Sequence, residues 1–100
     1  MEEKSKIIWT IEAIQNLENI IKYLEVNWTE KEIQNFIKKL NKAISLISIR
    51  PNLFRLTEKK KNLRRCVLTK QTTIYFKSEY SIIFIVSLFD NRQDPAKFES

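Results

Sequence analysis

The stretch Ser81-Ile-Ile-Phe-Ile-Val-Ser-Leu-Phe-Asp90 constrains the fold more than any other part of the chain. Six of the seven residues from Ile82 to Leu88 are apolar, Phe89 extends the run, and β-branched and aromatic side chains dominate it. Such composition suits a pleated, buried strand. The run is far too short for the ~20 apolar residues that a membrane-spanning helix needs. It predicts a strand buried on both faces, in the middle of a sheet. Polarity reverses at Asp90-Asn-Arg-Gln-Asp-Pro95, a charged turn that leaves the sheet with Arg92 at its centre.

A buried strand needs covering layers, and the first half of the chain supplies them. Ile7-Ile-Trp9 is a short β-prone run, followed by Thr10 as a helix N-cap and Glu12 as a favourable first-turn acid. Ile14, Leu17, Ile20, Ile21, Leu24 and Trp28 then recur at helical spacing, with Glu18, Lys22 and Glu25 on the other side. This first helix is expected to end near Asn27. Thr29-Glu-Lys-Glu32 matches a capping box, in which Glu32 reaches back to the Thr29 amide. Ile33, Phe36, Ile37, Leu40, Ala43, Ile44 and Ile47 continue at spacings of three and four, while Lys31, Lys38, Lys39 and Lys42 face away. Pro51 disfavours a helical Arg50, so the second helix stops there. Two residues between the helices force an antiparallel hairpin.

Residues 52–62 read as a loop. Residues 63–68 and 72–77 read as strands joined by Thr69-Lys-Gln71, and Glu79-Tyr-Ser81 turns into the final strand. Consecutive strands with short connections are antiparallel. The expectation is one α+β domain over residues 1–100, ordered β-α-α-β-β-β, with a helical hairpin on one face of a small, mostly antiparallel sheet.

What the chain lacks narrows its chemistry. It has no glycine, which excludes a phosphate-binding P-loop or Rossmann turn as these are usually built. It has no histidine and one cysteine, so no zinc site of the usual kind, no Cys-His pair and no imidazole base is available. No metal or cofactor is expected. Arg, Lys, Asp, Glu, Tyr and Ser remain, a set that favours electrostatic stabilisation of an anion. The opening Met-Glu-Glu-Lys-Ser-Lys has acids where a signal peptide needs bases, and the lone Cys66 fits a reducing compartment. A cytoplasmic protein with no membrane partner is expected.

The net charge of +6 is unevenly placed. Residues 51–100 hold ten basic side chains against five acids, and seven of the ten are Arg55, Lys59, Lys60, Lys61, Arg64, Arg65 and Lys70. A cluster of this kind is either a footprint for nucleic acid or an acidic partner segment, or a solvated lysine-rich surface. Arg64 and Arg65 are adjacent on a strand and therefore point to opposite faces. Lys59, Lys60, Lys61, one of Arg64 or Arg65, and Arg92 are candidates to line one basic surface, with Lys70 a further candidate for target contact. Arg92 has a structural reading too, as an ion pair with Asp90 or Asp94 that pins the turn.

These landmarks together resemble toxins of the RelE/ParE superfamily from type II toxin–antitoxin modules. The resemblance rests on Ile8-Trp-Thr-Ile-Glu-Ala13, Ile20-Ile-Lys-Tyr-Leu24 with Trp28, Phe36 and Leu40, Arg50-Pro51, Leu63-Arg-Arg65, and Phe89-Asp-Asn-Arg-Gln-Asp-Pro95. It covers residues 7–98. It implies the β-α-α-β-β-β fold, a cognate antitoxin, and one of two activities: ribosome-dependent mRNA cleavage, as in RelE-like members, or poisoning of DNA gyrase, as in ParE-like members. On that basis Arg64, Arg65 and Arg92 are the catalytic candidates, and Lys59, Lys60, Lys61 and Lys70 the target-binding ones. Phe98 stands where the cleaving members would carry a tyrosine, and it has no ionisable group. The length of the helical hairpin also suits a ParE-like member. Self-association of the isolated chain through the surface an antitoxin covers is a further expectation. The alternative of a different class is a non-catalytic basic module that binds nucleic acid or an acidic peptide through residues 55–70.

Overall fold

Two threonines start the two helices, as their positions in the sequence predict. A computed structural model describes residues 4–58 and 60–91. Strand β1 (Lys6–Trp9) leads into α1 (Ile11–Asn27), capped by Thr10, whose hydroxyl oxygen accepts a bond from the Ala13 amide at 3.1 Å. Helix α2 (Glu30–Ile49) starts at Thr29, whose hydroxyl oxygen accepts from the Glu32 amide. The Glu32 carboxylate accepts a hydrogen bond from the Thr29 hydroxyl at 3.3 Å, so the carboxylate is tied to the side chain rather than to the amide that the capping-box reading expects.

The expected loop at 52–62 is more ordered than its composition suggests. Pro51–Leu53 forms one 3₁₀ turn, and β2 (Arg55–Leu56) pairs antiparallel with β3 (Leu63–Val67). Strands β4 (Thr72–Glu79) and β5 (Ile82–Asp90) follow, giving a five-stranded sheet in the order β1-β5-β4-β3-β2. Strand β1 runs parallel to β5, and every other pair is antiparallel. Strand β5 is therefore internal but not central. The centre belongs to β4, where residues 72–76 are all buried.

Burial of β5 is also one-sided in a way its continuous apolar run conceals. Ile83, Ile85 and Leu88 join Ile74, Phe76 and Cys66 in a core with Ala13, Leu24, Phe36, Leu40 and Ile47, while Ile82, Phe84 and Val86 are half-exposed. Both helices contribute to that one cluster, so the alternate side chains of β5 receive no helix. A β-bulge restores the pattern: Phe76 pairs with Ile85 but Tyr75 pairs with Ser87, leaving Val86 as the extra residue. Without that extra residue Leu88 would point away from the core.

Side chains from the start of α1 fasten the bulge. The Thr10 hydroxyl lies 3.0 Å from the carbonyl oxygens of both Ile85 and Val86. Further along α1, Asn16 Oδ1 accepts from the Ser87 hydroxyl at 3.0 Å and from the Leu88 amide at 3.1 Å. These bonds take over where β1 ends, at the Trp9–Ile85 pair.

With no glycine available, tight turns are made by residues that resist them. Tyr80 and Ser81 connect β4 to β5 with φ of 48° and 65°, and Asn62 enters β3 at φ 62°. Left-handed backbone costs roughly 1–2 kcal/mol for an ordinary residue, least for Asn.

Candidate functional site

The β2–β3 hairpin carries most of the predicted basic residues, and its loop is built from the chain's own hydrogen bonds. The Thr57 amide donates to the Leu63 carbonyl at 2.7 Å, the Thr57 hydroxyl to the Lys60 carbonyl at 3.1 Å, and the Leu63 amide to the Lys60 carbonyl at 3.4 Å. Thr57 is buried, while Lys61 is exposed on this fixed loop.

The adjacent arginines have opposite fates. Arg64 is the cross-strand partner of Phe76, so it shares the helix-packed face. There it donates to the Phe54 carbonyl at 2.6 Å and to Asn52 Oδ1 at 3.2 Å, and Phe54 itself stands edge-on to Phe76 with ring centroids 5.6 Å apart. Arg64 thereby ties the segment after α2 to the sheet. Arg65 lies on the other face, paired with Arg55 on one side and Tyr75 on the other. Tyr75 is 1% exposed and stands edge-on to Phe89 at 6.1 Å. It is beside Arg65 but out of reach of a substrate.

A small cavity of about 220 Å³ opens at this place, lined by Arg55, Leu56, Thr57, Glu58 and Arg65. Lys70 does not join it. That residue sits at the tip of the β3–β4 turn, beyond the opposite end of β3 from Lys60 and Lys61, and Asn91 Nδ2 donates to its carbonyl. Five strand residues at ~3.3 Å each separate the two ends. The single basic surface is thus divided among the described residues. Arg92, Lys59 and Phe98 lie outside the described residues.

A second, larger feature has no counterpart in the sequence-based expectations. A cleft of about 720 Å³ runs between the helical hairpin and the far ends of β4 and β5. Its walls include Ile20, Leu24, Phe36, Leu88 and Phe89, with the half-exposed rings of Tyr23 and Trp28 at its mouth. Its charged residues are Glu12, Glu32, Asp90 and Lys39, an acidic balance on a chain that is basic as a whole. The available signal was Trp28, an aromatic on the apolar seam at the point where the first helix stops and no longer has a neighbour to cover it.

Cys66 is buried, and burial pushes its thiol up from the ordinary value. A thiol held protonated in the core is a packing group rather than a nucleophile. Among the described residues no group of His, Cys, Asp or Glu is placed to hold a metal ion, and no helix is long and apolar enough to cross a membrane.

Comparison with known proteins gives this architecture a place. The chain's fold is similar to that of the chromosomal ParDE toxin–antitoxin system of P. aeruginosa, with a TM-score of 0.73 at 13% identity, covering 87% of this chain and 96% of that one. It is also similar to the conserved hypothetical protein HP0894 from Helicobacter pylori (TM-score 0.58, 14% identity, 89% and 97% covered). A chain of the YoeB–YefM complex from Staphylococcus aureus gives a TM-score of 0.54 at 19% identity, with 87% and 97% covered. No curated protein matches in sequence at a significant level. The model of the ParE toxin of type II toxin–antitoxin systems matches residues 7–95. The chain belongs to the ParE toxin family of type II toxin–antitoxin modules.

Proposed function

We propose that this toxin arrests growth by acting on DNA gyrase, without cutting RNA, and that its cognate antitoxin silences it from the helix–sheet cleft. The observation that carries the choice of target is the setting of Arg65. Cleavage of an RNA strand needs a group to move a proton beside the cation that holds the phosphate. The chain has no histidine, and the tyrosine in register with Arg65 is 1% exposed. Phe98, at the position where the resemblance expects a tyrosine, cannot transfer a proton. Membership of the ParE family supports the same reading.

The cleft supports the second half. Its apolar floor and flanking Tyr23 and Trp28 rings suit an amphipathic segment laid between helix and sheet. The excess of acid around it suits a segment carrying a basic residue among its apolar ones. The solved relatives from P. aeruginosa and S. aureus are toxin–antitoxin pairs, which fits an antitoxin as occupant.

The test is induction of the gene alone and together with its neighbouring antitoxin gene, with DNA damage and mRNA ends read in parallel. Growth arrest with double-strand breaks, an SOS response and intact mRNA is the expected result. Arrest with discrete mRNA cuts mapped by primer extension, abolished by Arg65→Ala, replaces gyrase by the ribosome as target. Normal growth at verified soluble expression overturns the reading altogether. Trp28→Ala is expected to weaken neutralisation by the co-expressed antitoxin while leaving toxicity in place.

A further inference from the structure

Strand β1 is bonded to the sheet on one side. The Lys6 and Thr10 amides donate to the Ser81 and Ile85 carbonyls at 2.9 Å and 3.1 Å. Bonding groups alternate sides along a strand, so Lys6, Ile8 and Thr10 bond toward β5 while Ile7 and Trp9 turn their amides and carbonyls away from it. Among the described residues these four groups have no hydrogen-bond partner. Ile7, Ile8 and Trp9 are half-buried and Lys6 is exposed, so the rest of the chain does not seal the edge. Apart from Lys6 at its start, β1 carries none of the usual edge-blunting devices, such as a proline, a bulge or an inward charge.

We propose that β1 joins two copies of this chain, their sheets meeting edge to edge across a two-fold axis at Ile8. The spacing of the outward groups selects that register. With Ile8 opposite Ile8 of the second copy, Ile7 faces Trp9 of the other strand on each side of the axis. Each such pair exchanges two hydrogen bonds, so every outward group of both strands is used. An axis at Ile7 would set Trp9 against Ser5, whose amide is already given to the Ser48 carbonyl. An axis at Trp9 would set Ile7 against Ile11, which starts α1. The chosen register also sets Lys6 against Thr10, so no like charges meet. Ile7 and Trp9 pack toward the core, so by alternation the two Ile8 side chains meet on the face away from the helices. Two strands this short bury little area, and the association is weak and concentration-dependent. It uses a surface separate from the helix–sheet cleft and rests on neither the target nor the toxin reading.

The test is sedimentation of the purified full chain over a range of concentrations, together with mild oxidation of Ile8→Cys. Non-hydrogen-bonded antiparallel pairs have Cα atoms about 4.5 Å apart, within disulfide reach, so Ile8→Cys is expected to cross-link into a dimer. Ile82→Cys, one strand further in, is expected not to, and Cys66 is buried in both. Ile8→Lys and Ile8→Glu each set like charges at the axis and should each shift the equilibrium toward monomer by about tenfold. Mixing those two variants should restore association. Circular dichroism melts show whether each variant is folded. A chain that stays monomeric at every concentration overturns the proposal. So does a dimer that folded Ile8→Lys leaves intact, since another surface would then join the copies. Loss of antitoxin binding in folded Ile8→Lys, with no dimer of the free chain, assigns the edge to the antitoxin and overturns it too. Ile8-dependent dimers of a chain that fails to arrest growth uphold the interface while removing the toxin reading.

Discussion

At one edge of the sheet β1 pairs with β5 over four residues, and side chains from Thr10 and Asn16 carry the bonding on past its end. At the other edge β2 offers two residues, and one of them is Arg55, opposite Arg65. The first edge has the β5 groups beyond β1 met by the chain's own side chains and its apolar face covered by α1. The second is held by loop amides and Thr57 while its charged side chains face a cavity. The difference separates residues that the fold depends on from residues that it can spare. Residues that complete the first edge should be costly to lose, and Arg55 should not.

Four measurements by chemical denaturation probe that contrast, in descending order of effect. Ile85→Ala, at a fully buried position paired with Trp9, is expected to lose about 2–5 kcal/mol by leaving a cavity in the core. Asn16→Ala leaves the Leu88 amide and the Ser87 hydroxyl without their acceptor, and a loss of about 1–3 kcal/mol is expected. The joint change Tyr80→Asn, Ser81→Gly places residues that favour positive φ in the two-residue turn and should add about 1 kcal/mol. Arg55→Ala should move stability by no more than about 0.5 kcal/mol, since its side chain is exposed on a two-residue edge strand. A loss at Arg55 as large as that at Asn16 would erase the distinction between the two edges.

Much of this architecture is readable in the residues, and the failures have physical causes. Thr10, Thr29 and Pro51 mark the helix bounds because capping and proline sterics are local. The residues overstate how central β5 is, because a continuous apolar run reports burial without distinguishing a helix-covered face from a half-covered one. The bulge at Val86 deepens that ambiguity, since one extra residue shifts the inward and outward alternation midway. Strand β2 escapes notice because two residues carry no period. At the site, adjacency tells that Arg64 and Arg65 diverge, but which one turns inward depends on the register with Phe76 and Tyr75, a tertiary fact. Arg55 becomes interesting only through its partner across the strand. The cleft is invisible for the same reason, being made of segments far apart in the chain, the helical hairpin and the residues from Thr69 to Asp90.

The pairing of β1 with β5 also sets a clock. Lys6 meets Ile82, 76 positions later in the chain. At ~5–20 residues per second of synthesis, β1 waits about 4–15 s for the strand it lies against. From the completion of α2 at Ile49 until β5 is made, the helical hairpin stands with its apolar seam uncovered, because the sheet it packs on is not yet complete. A nascent toxin is therefore open to capture before it is able to act. An antitoxin present during translation would meet a chain still lacking its finished sheet, and neutralisation would begin as part of folding itself.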